Sequence, residues 1–250
     1  MSLNDPEARD CDQVASVYQH LRELEPEAAA WLMSLPERAE IPLESGGSLL
    51  AVHKTDNKPA LWKEGFSTSG YFRRHEHVPH THEGLLREFA ETINGPDYAD
   101  FRAETGSRGL LFGHNHLQCW CLAEGKLFLN PGSAGLPADF DNRPAYALLI
   151  EEAGGLTVAE RRVDYDIEGT IRAARDTEIY ARSPIWCELI FRTLRLGRDY
   201  EGPCLRFAEG LARQRGVAQR PFPNDLWREA YESFTARLDA GEFYPTVGEA

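Results

Sequence analysis

The chain has 250 residues, of which 42% are hydrophobic and 27% charged, and its formal net charge is −13. That length suits one large domain or a domain with an appendage, and it is enough to bury a sizeable core. The acidic balance disfavours general nucleic-acid binding, because it repels a phosphate backbone, and no run approaches the roughly 18 apolar residues that suggest a membrane span.

The first twelve residues, Met1 to Asp12, are polar and acidic and do not resemble a signal peptide. Cytoplasmic location is therefore the default expectation. The five cysteines are odd in number and scattered. Cys119 and Cys121 flank Trp120, a spacing that suits neither a redox CxxC nor a zinc knuckle. Alternation on a strand puts both on one face, as reduced core residues.

In chain order, residues 13–34 read as one helix. Val14, Val17, Tyr18 and Leu21 fall at helical spacing, and Pro36 follows the end. Residues 48–53 read as a buried strand ending at His53, and 54–80 as a long loop rich in Lys, Gly, His and Pro. Thr81 reads as the N-cap of a helix over 82–93. Short strands follow at 108–112, 117–123, 126–129, 145–151 and 156–163, separated by turn residues. From 166 the text is helical: 166–181, 184–196, 203–215 and 224–239, with Asn224 as an N-cap. Leu189, Phe191, Leu194 and Leu196 are too apolar for a fully exposed helix, so this tail is expected to pack on the sheet domain or on a second subunit. The division expected is 1–165 for the α/β domain and 166–250 for a helical extension.

Chemistry concentrates at Gly113-His114-Asn115-His116, directly after a hydrophobic strand. Two imidazoles at the carboxyl end of a strand sit where open α/β sheets bind ligands. Neutral imidazole suits Zn, Mn, Fe or Ni. A His-x-His pair alone is a weak signal, and two satisfied core histidines are the bland alternative. The context adds Asn130-Pro131-Gly132-Ser133 after another strand, and His53 at a strand end upstream.

This order of motifs, closing on a strand near Val163-Asp164-Tyr165-Asp166, resembles the calcineurin-like metallophosphoesterases, in particular their small bacterial phosphodiesterase branch. The segment Leu32 to Pro36 shares in the resemblance, which covers about residues 26–166. It implies an α/β fold, a β-sandwich flanked by helices, with a two-metal site at its edge. It implies that His53 and His114 bind one metal and His116 the other. It further implies metals about 3.5–4 Å apart holding a hydroxide that attacks phosphorus. Gly113, Asn130, Gly132 and Ser133 would be site scaffold. The implied cofactor is a divalent transition metal (Mn, Fe, Ni or Zn), two per complete site.

The sequence departs from the family in one large respect. Asp-x-His, Gly-Asp-x-x-Asp and Gly-Asn-His, which supply the bridging carboxylate and the remaining ligands, do not occur before His53. The simplest expectation is a truncated sequence that starts after the family's third motif, with a degenerate relative next. This chain alone would then hold one metal or none. A sandwich short of its first units is expected to expose edges and apolar faces, which favours a homodimer or a strand-exchanged oligomer. A second group, His75 to His82, lies in the long loop; His77 and His80, with Arg73 and Arg74, are candidates for substrate contact, as is Asn115. A solvated loop is the bland account of that group.

Two functions follow. One is metal-dependent hydrolysis of a small phosphoester, with a phosphodiester favoured, by a site of which this chain carries the histidine half. The other is an inactive or truncated member that acts as a weak metal-binding or partner-dependent module.

Overall fold

The computed structural model describes residues 8–53, 81–103, 106–152 and 155–242. After a 3-10 turn at Ala8–Asp10 the elements are α1 (Asp12–Glu23), α2 (Pro26–Ser34), β1 (Arg38–Pro42), β2 (Ser48–Val52), α3 (His82–Asn94) and α4 (Ala99–Ala103). Then come β3 (Ser107–Leu111), β4 (Gln118–Ala123), β5 (Lys126–Pro131), β6 (Ala145–Glu152) and β7 (Gly155–Arg162). The tail holds α5 (Ile167–Arg175), α6 (Glu178–Arg182), α7 (Pro184–Leu196), α8 (Glu201–Gln214) and α9 (Asn224–Asp239). The chain divides into two compact units: residues 36–165 with 193–199, and residues 1–35 with 166–192 and 200–250.

The first unit is α/β, as the sequence predicts. Its five-stranded sheet runs β1-β2-β3-β5-β4, with β6 and β7 forming a separate two-stranded sheet. β2, β3 and β5 are parallel neighbours, while β1 and β4 are antiparallel edges. Parallel neighbours need a crossover between them, and α3 lies in the crossover from β2 to β3. Leu85, Phe89 and Ile93 recur every four residues and line one face of α3. They form a core with Tyr98, Leu110, Phe112, Leu117, Cys119 and Phe128. Cys119 and Cys121 are free thiols, and burial pushes Cys121 up to about 11. Thr81 caps α3 as expected, its Oγ1 accepting from Gly84 N–H at 3.1 Å. β1 was not expected: all five of its residues are exposed, so it has no apolar period to read. Trp120 and Leu122 on β4, and Tyr146, Leu148 and Ile150 on β6, are exposed apolar residues.

The second unit corrects four expectations. The helix predicted over 13–34 is two helices. Glu25 precedes Pro26, and a residue before proline is pushed out of the α region; Leu24 and Glu25 are extended and Pro26 opens α2. The face expected to be buried on α1 is not the one used. Tyr18 is buried, but Val17 and Leu21 are both 48% exposed, while Asp12, Gln13, Ala15 and Gln19 are buried. Polar residues can be buried there because they are bonded: Asp12 accepts from Ile185 N–H at 2.8 Å, Trp186 N–H at 2.9 Å and Trp227 Nε1–H at 2.8 Å. Asn224 is the first residue of α9 rather than its cap, which is Pro223. Its side chain is taken by Asp12 N–H, which donates to Oδ1 at 3.0 Å, and by the Asp10 carbonyl, which accepts from Nδ2 at 2.9 Å. The stretch predicted as helix over 166–181 likewise breaks, and Thr177 caps α6. Among the described residues no helix is long and apolar enough to cross a membrane.

Candidate metal-binding site

Register decides what meets at the sheet's carboxyl edge. Ala51 of β2 lies beside Leu111 of β3, and Leu111 lies beside Leu129 of β5. Two residues beyond these partners stand His53 and Gly113, and one beyond Leu129 stands Asn130. Three parallel strands therefore deliver the three motifs to one edge, the position at which open α/β sheets bind ligands.

The rings of His53 and His114 meet edge to face, with centroids 5.6 Å apart and planes at 85°. Two imidazoles sharing one metal, each nitrogen about 2.1 Å away and about 110° apart, have ring centres roughly 5–6 Å apart. The 5.6 Å separation falls in that range, which is also the range of ordinary edge-to-face ring packing. Gly113 makes room for it: a Cβ there would lie 3.2 Å from His53 Nδ1. His114 and His116 both take left-handed backbone, with φ of 76° and 57°. Such a conformation costs a residue with a Cβ about 1–3 kcal/mol, and it occurs most at functional turns. His116 sets Nδ1 against the Leu136 carbonyl at 2.7 Å. Metal-ligating imidazoles are usually oriented in this way, the other ring nitrogen donating to a backbone carbonyl.

The turn is braced from below. Asn130, with no exposed surface, donates Nδ2–H to the Gly113 carbonyl at 3.3 Å and to Asn115 Oδ1 at 2.5 Å. Its Oδ1 accepts from Gly132 N–H at 2.9 Å. Gly132 has φ +85° and a Cβ there would lie 2.6 Å from that of Ala145, so no other residue fits. Ser133 Oγ accepts from Leu136 N–H at 2.9 Å.

Asn115, expected at the substrate, is instead only 4% exposed. Its Oδ1 accepts from Leu117 N–H at 3.2 Å, so it holds the turn from inside. Arg73, Arg74, His77 and His80 lie outside the described residues. Among the described residues, no group of three or more His, Cys, Asp or Glu is placed so as to hold a metal ion. These residues therefore fit two ligands of one ion and do not fit a two-metal centre.

Sequence reasoning missed Leu136, Asp139, Gln118 and Arg162. The side chain of Asp139 is fully buried and paired with that of Arg162, which is 10% exposed. Glu160 is exposed, yet desolvation pushes its carboxyl up, and nearby His82 pulls it back. Nothing in a sequence marks which of its 40 acidic residues will be buried.

No family model matches the chain, and no curated protein does. Among solved structures the chain is similar to a metallophosphoesterase from Sphaerobacter thermophilus, at 22% identity over 79% of this chain and 72% of that one, with a TM-score of 0.44. It is also similar to hypothetical protein PH1004 from Pyrococcus horikoshii OT3, at 17% identity over 74% of this chain and 66% of that one, with a TM-score of 0.41.

Proposed function

We propose that the chain is a metal-dependent phosphoesterase of the calcineurin-like kind, acting on a small phosphoester, with a phosphodiester favoured. The observation that carries this reading is the His53–His114 ring pair at the carboxyl ends of adjacent parallel strands. His53 and His114 would hold one divalent ion between them, and His116 would offer Nε2 nearby. A divalent ion bound there supplies positive charge to phosphoryl oxygens and acidifies water. The chain's own part is to hold the imidazoles, fix the tautomer of His116 through the Leu136 carbonyl, and keep a rigid turn beneath them.

The resemblance of the Gly113–His116 and Asn130–Ser133 motifs to that family supports the same reading. The test pairs Mn²⁺ binding with hydrolysis of bis(p-nitrophenyl) phosphate by the whole chain. His53→Ala and His114→Ala are each expected to abolish Mn²⁺ binding and any Mn²⁺-dependent hydrolysis, while His20→Ala, an exposed histidine on α1, leaves both unchanged. Mn²⁺ affinity that survives loss of both rings overturns the proposal.

A further inference from the structure

The segment Leu136–Asp139 runs beside His116–Gln118 and bonds to it three times. His116 Nδ1 faces the Leu136 carbonyl at 2.7 Å. Ala138 N–H donates to the His116 carbonyl at 3.4 Å. Gln118 N–H donates to Asp139 Oδ2 at 2.8 Å, so a carboxylate completes the short ladder where a third carbonyl would stand. The Asp139 carbonyl in turn faces His82 Nδ1 at 2.9 Å. Two imidazoles are thus held by Nδ1 on carbonyls of one short segment.

Asp139 is itself clamped. Arg162 donates Nη2–H to its Oδ2, Nε–H to Gln118 Oε1 at 2.7 Å, and Nη1–H to the carbonyls of Asp141 at 3.2 Å and Arg143 at 3.0 Å. Gln118 Nε2–H reaches the Tyr146 carbonyl at 2.9 Å and the Arg161 carbonyl at 3.2 Å, which ties the ladder to the β6–β7 hairpin. The other carboxylate oxygen, Asp139 Oδ1, is buried with no partner among the described residues. A buried ion pair with an unfilled acceptor is a poor device for stability, since apolar packing of the same volume does as well or better. Its use lies in what it holds in place.

A carbonyl accepts and cannot donate, so Leu136 selects the Nδ1-protonated tautomer of neutral His116 and leaves the lone pair on Nε2. We infer that Asp139, clamped by Arg162, is a positioning residue that fixes the Leu136–Asp139 segment and thereby holds His116 as its Nδ1–H tautomer with Nε2 available as a ligand nitrogen. The ligand role rests on the function proposed above; the tautomer does not.

The experiment is long-range ¹H–¹⁵N correlation of the histidine rings in the metal-free whole chain at about pH 8, where an ordinary imidazole is neutral. The wild type is expected to show His116 and His82 as Nδ1–H tautomers. In Asp139→Ala the His116 nitrogens are expected to move toward the averaged shifts of exchanging tautomers. Arg162→Lys, which keeps the charge but not the fork of donors, is expected to move them the same way by less, and it carries the test alone if Asp139→Ala does not fold. A lowered thermal midpoint with the His116 tautomer unchanged would make the pair merely structural and overturn the inference. A tautomer that responds in a chain that binds no Mn²⁺ supports the positioning role while removing the proposed function.

Discussion

Asn130 is the residue on which the geometry of the histidine turn depends most directly, and its replacement gives a test with a worked magnitude. Its amide makes three bonds, donating to the Gly113 carbonyl and Asn115 Oδ1 and accepting from Gly132 N–H. Asn130→Ala removes all three and leaves the partly buried Gly132 N–H without an acceptor. At about 0.5–1 kcal/mol for each of the three bonds, plus about 1 kcal/mol for the orphaned donor, the loss is about 2.5–4 kcal/mol. For a chain of this size that lowers the thermal midpoint by roughly 5–15 °C. Asn130→Asp separates donor from shape. The new carboxylate still accepts from Gly132 N–H, but it faces Asn115 Oδ1, now acceptor against acceptor at a spacing of 2.5 Å. At pH 7 it is expected to be at least as damaging as Asn130→Ala. A protonated carboxyl can donate to Asn115 Oδ1, so the folded-state pKa of the introduced group is raised. Its stability is then fully present below the unfolded value of about 3.9 and lost as pH rises through the raised one. Thermal melts of both variants between pH 4 and pH 7 measure this. An Asn130→Asp chain as stable as wild type at pH 7 would refute the donor assignment and with it the brace.

Other expectations follow from the same structure. Asp141 is held at about 2, first by its hydrogen bond from Arg143, so its stabilising contribution is present above pH 4 and is lost as pH falls toward 2. Asp141→Asn should cost about 1 kcal/mol at pH 7 after allowance for solvent screening, and it should flatten the acid limb of the stability curve in that window. Asp12→Ala strands three N–H donors, including the Trp227 indole, and should cost roughly 3 kcal/mol, read by Trp fluorescence and loss of helical circular dichroism. Phe89 is fully buried and stacks on Phe112, next to Gly113. Phe89→Ala should cost about 3–5 kcal/mol, measured as a shift of the urea midpoint.

What the sequence made legible is the part governed by local rules. β2, β3 and β5 are short apolar runs ended by His53, Gly113 and Asn130, and parallel pairing then brings those ends together without further instruction. Thr81 is readable for the same reason, because a cap acts within three residues of itself. Asn224 obeys no such rule: its side chain is claimed by Asp10 and Asp12, more than two hundred residues away. The Asp139–Arg162 pair and the buried Asp12 fail in the same manner. Each is a charge held in the interior by partners distant in sequence, and periodicity assigns charges to the surface. β1 was invisible because exposed edge strands carry no apolar alternation.

Charge sets the number of ions that the histidine turn can accept. Two unit charges 4 Å apart repel by about 4 kcal/mol at an effective dielectric of 20, so two dications at that distance repel by roughly 16 kcal/mol. Bridging carboxylates offset such repulsion in a two-metal site; neutral imidazoles cannot. His53, His114 and His116 bring no negative charge, and no acidic residue joins them in a metal-holding group among the described residues. On the function proposed above, the described residues alone would hold one ion, between His53 and His114. Equilibrium dialysis against Mn²⁺ is expected to give one ion per chain, lost in His114→Ala and retained within a few-fold in His116→Ala. Two ions per chain of similar affinity would refute this, and would require that carboxylates from outside the described residues, or from another chain, complete the site.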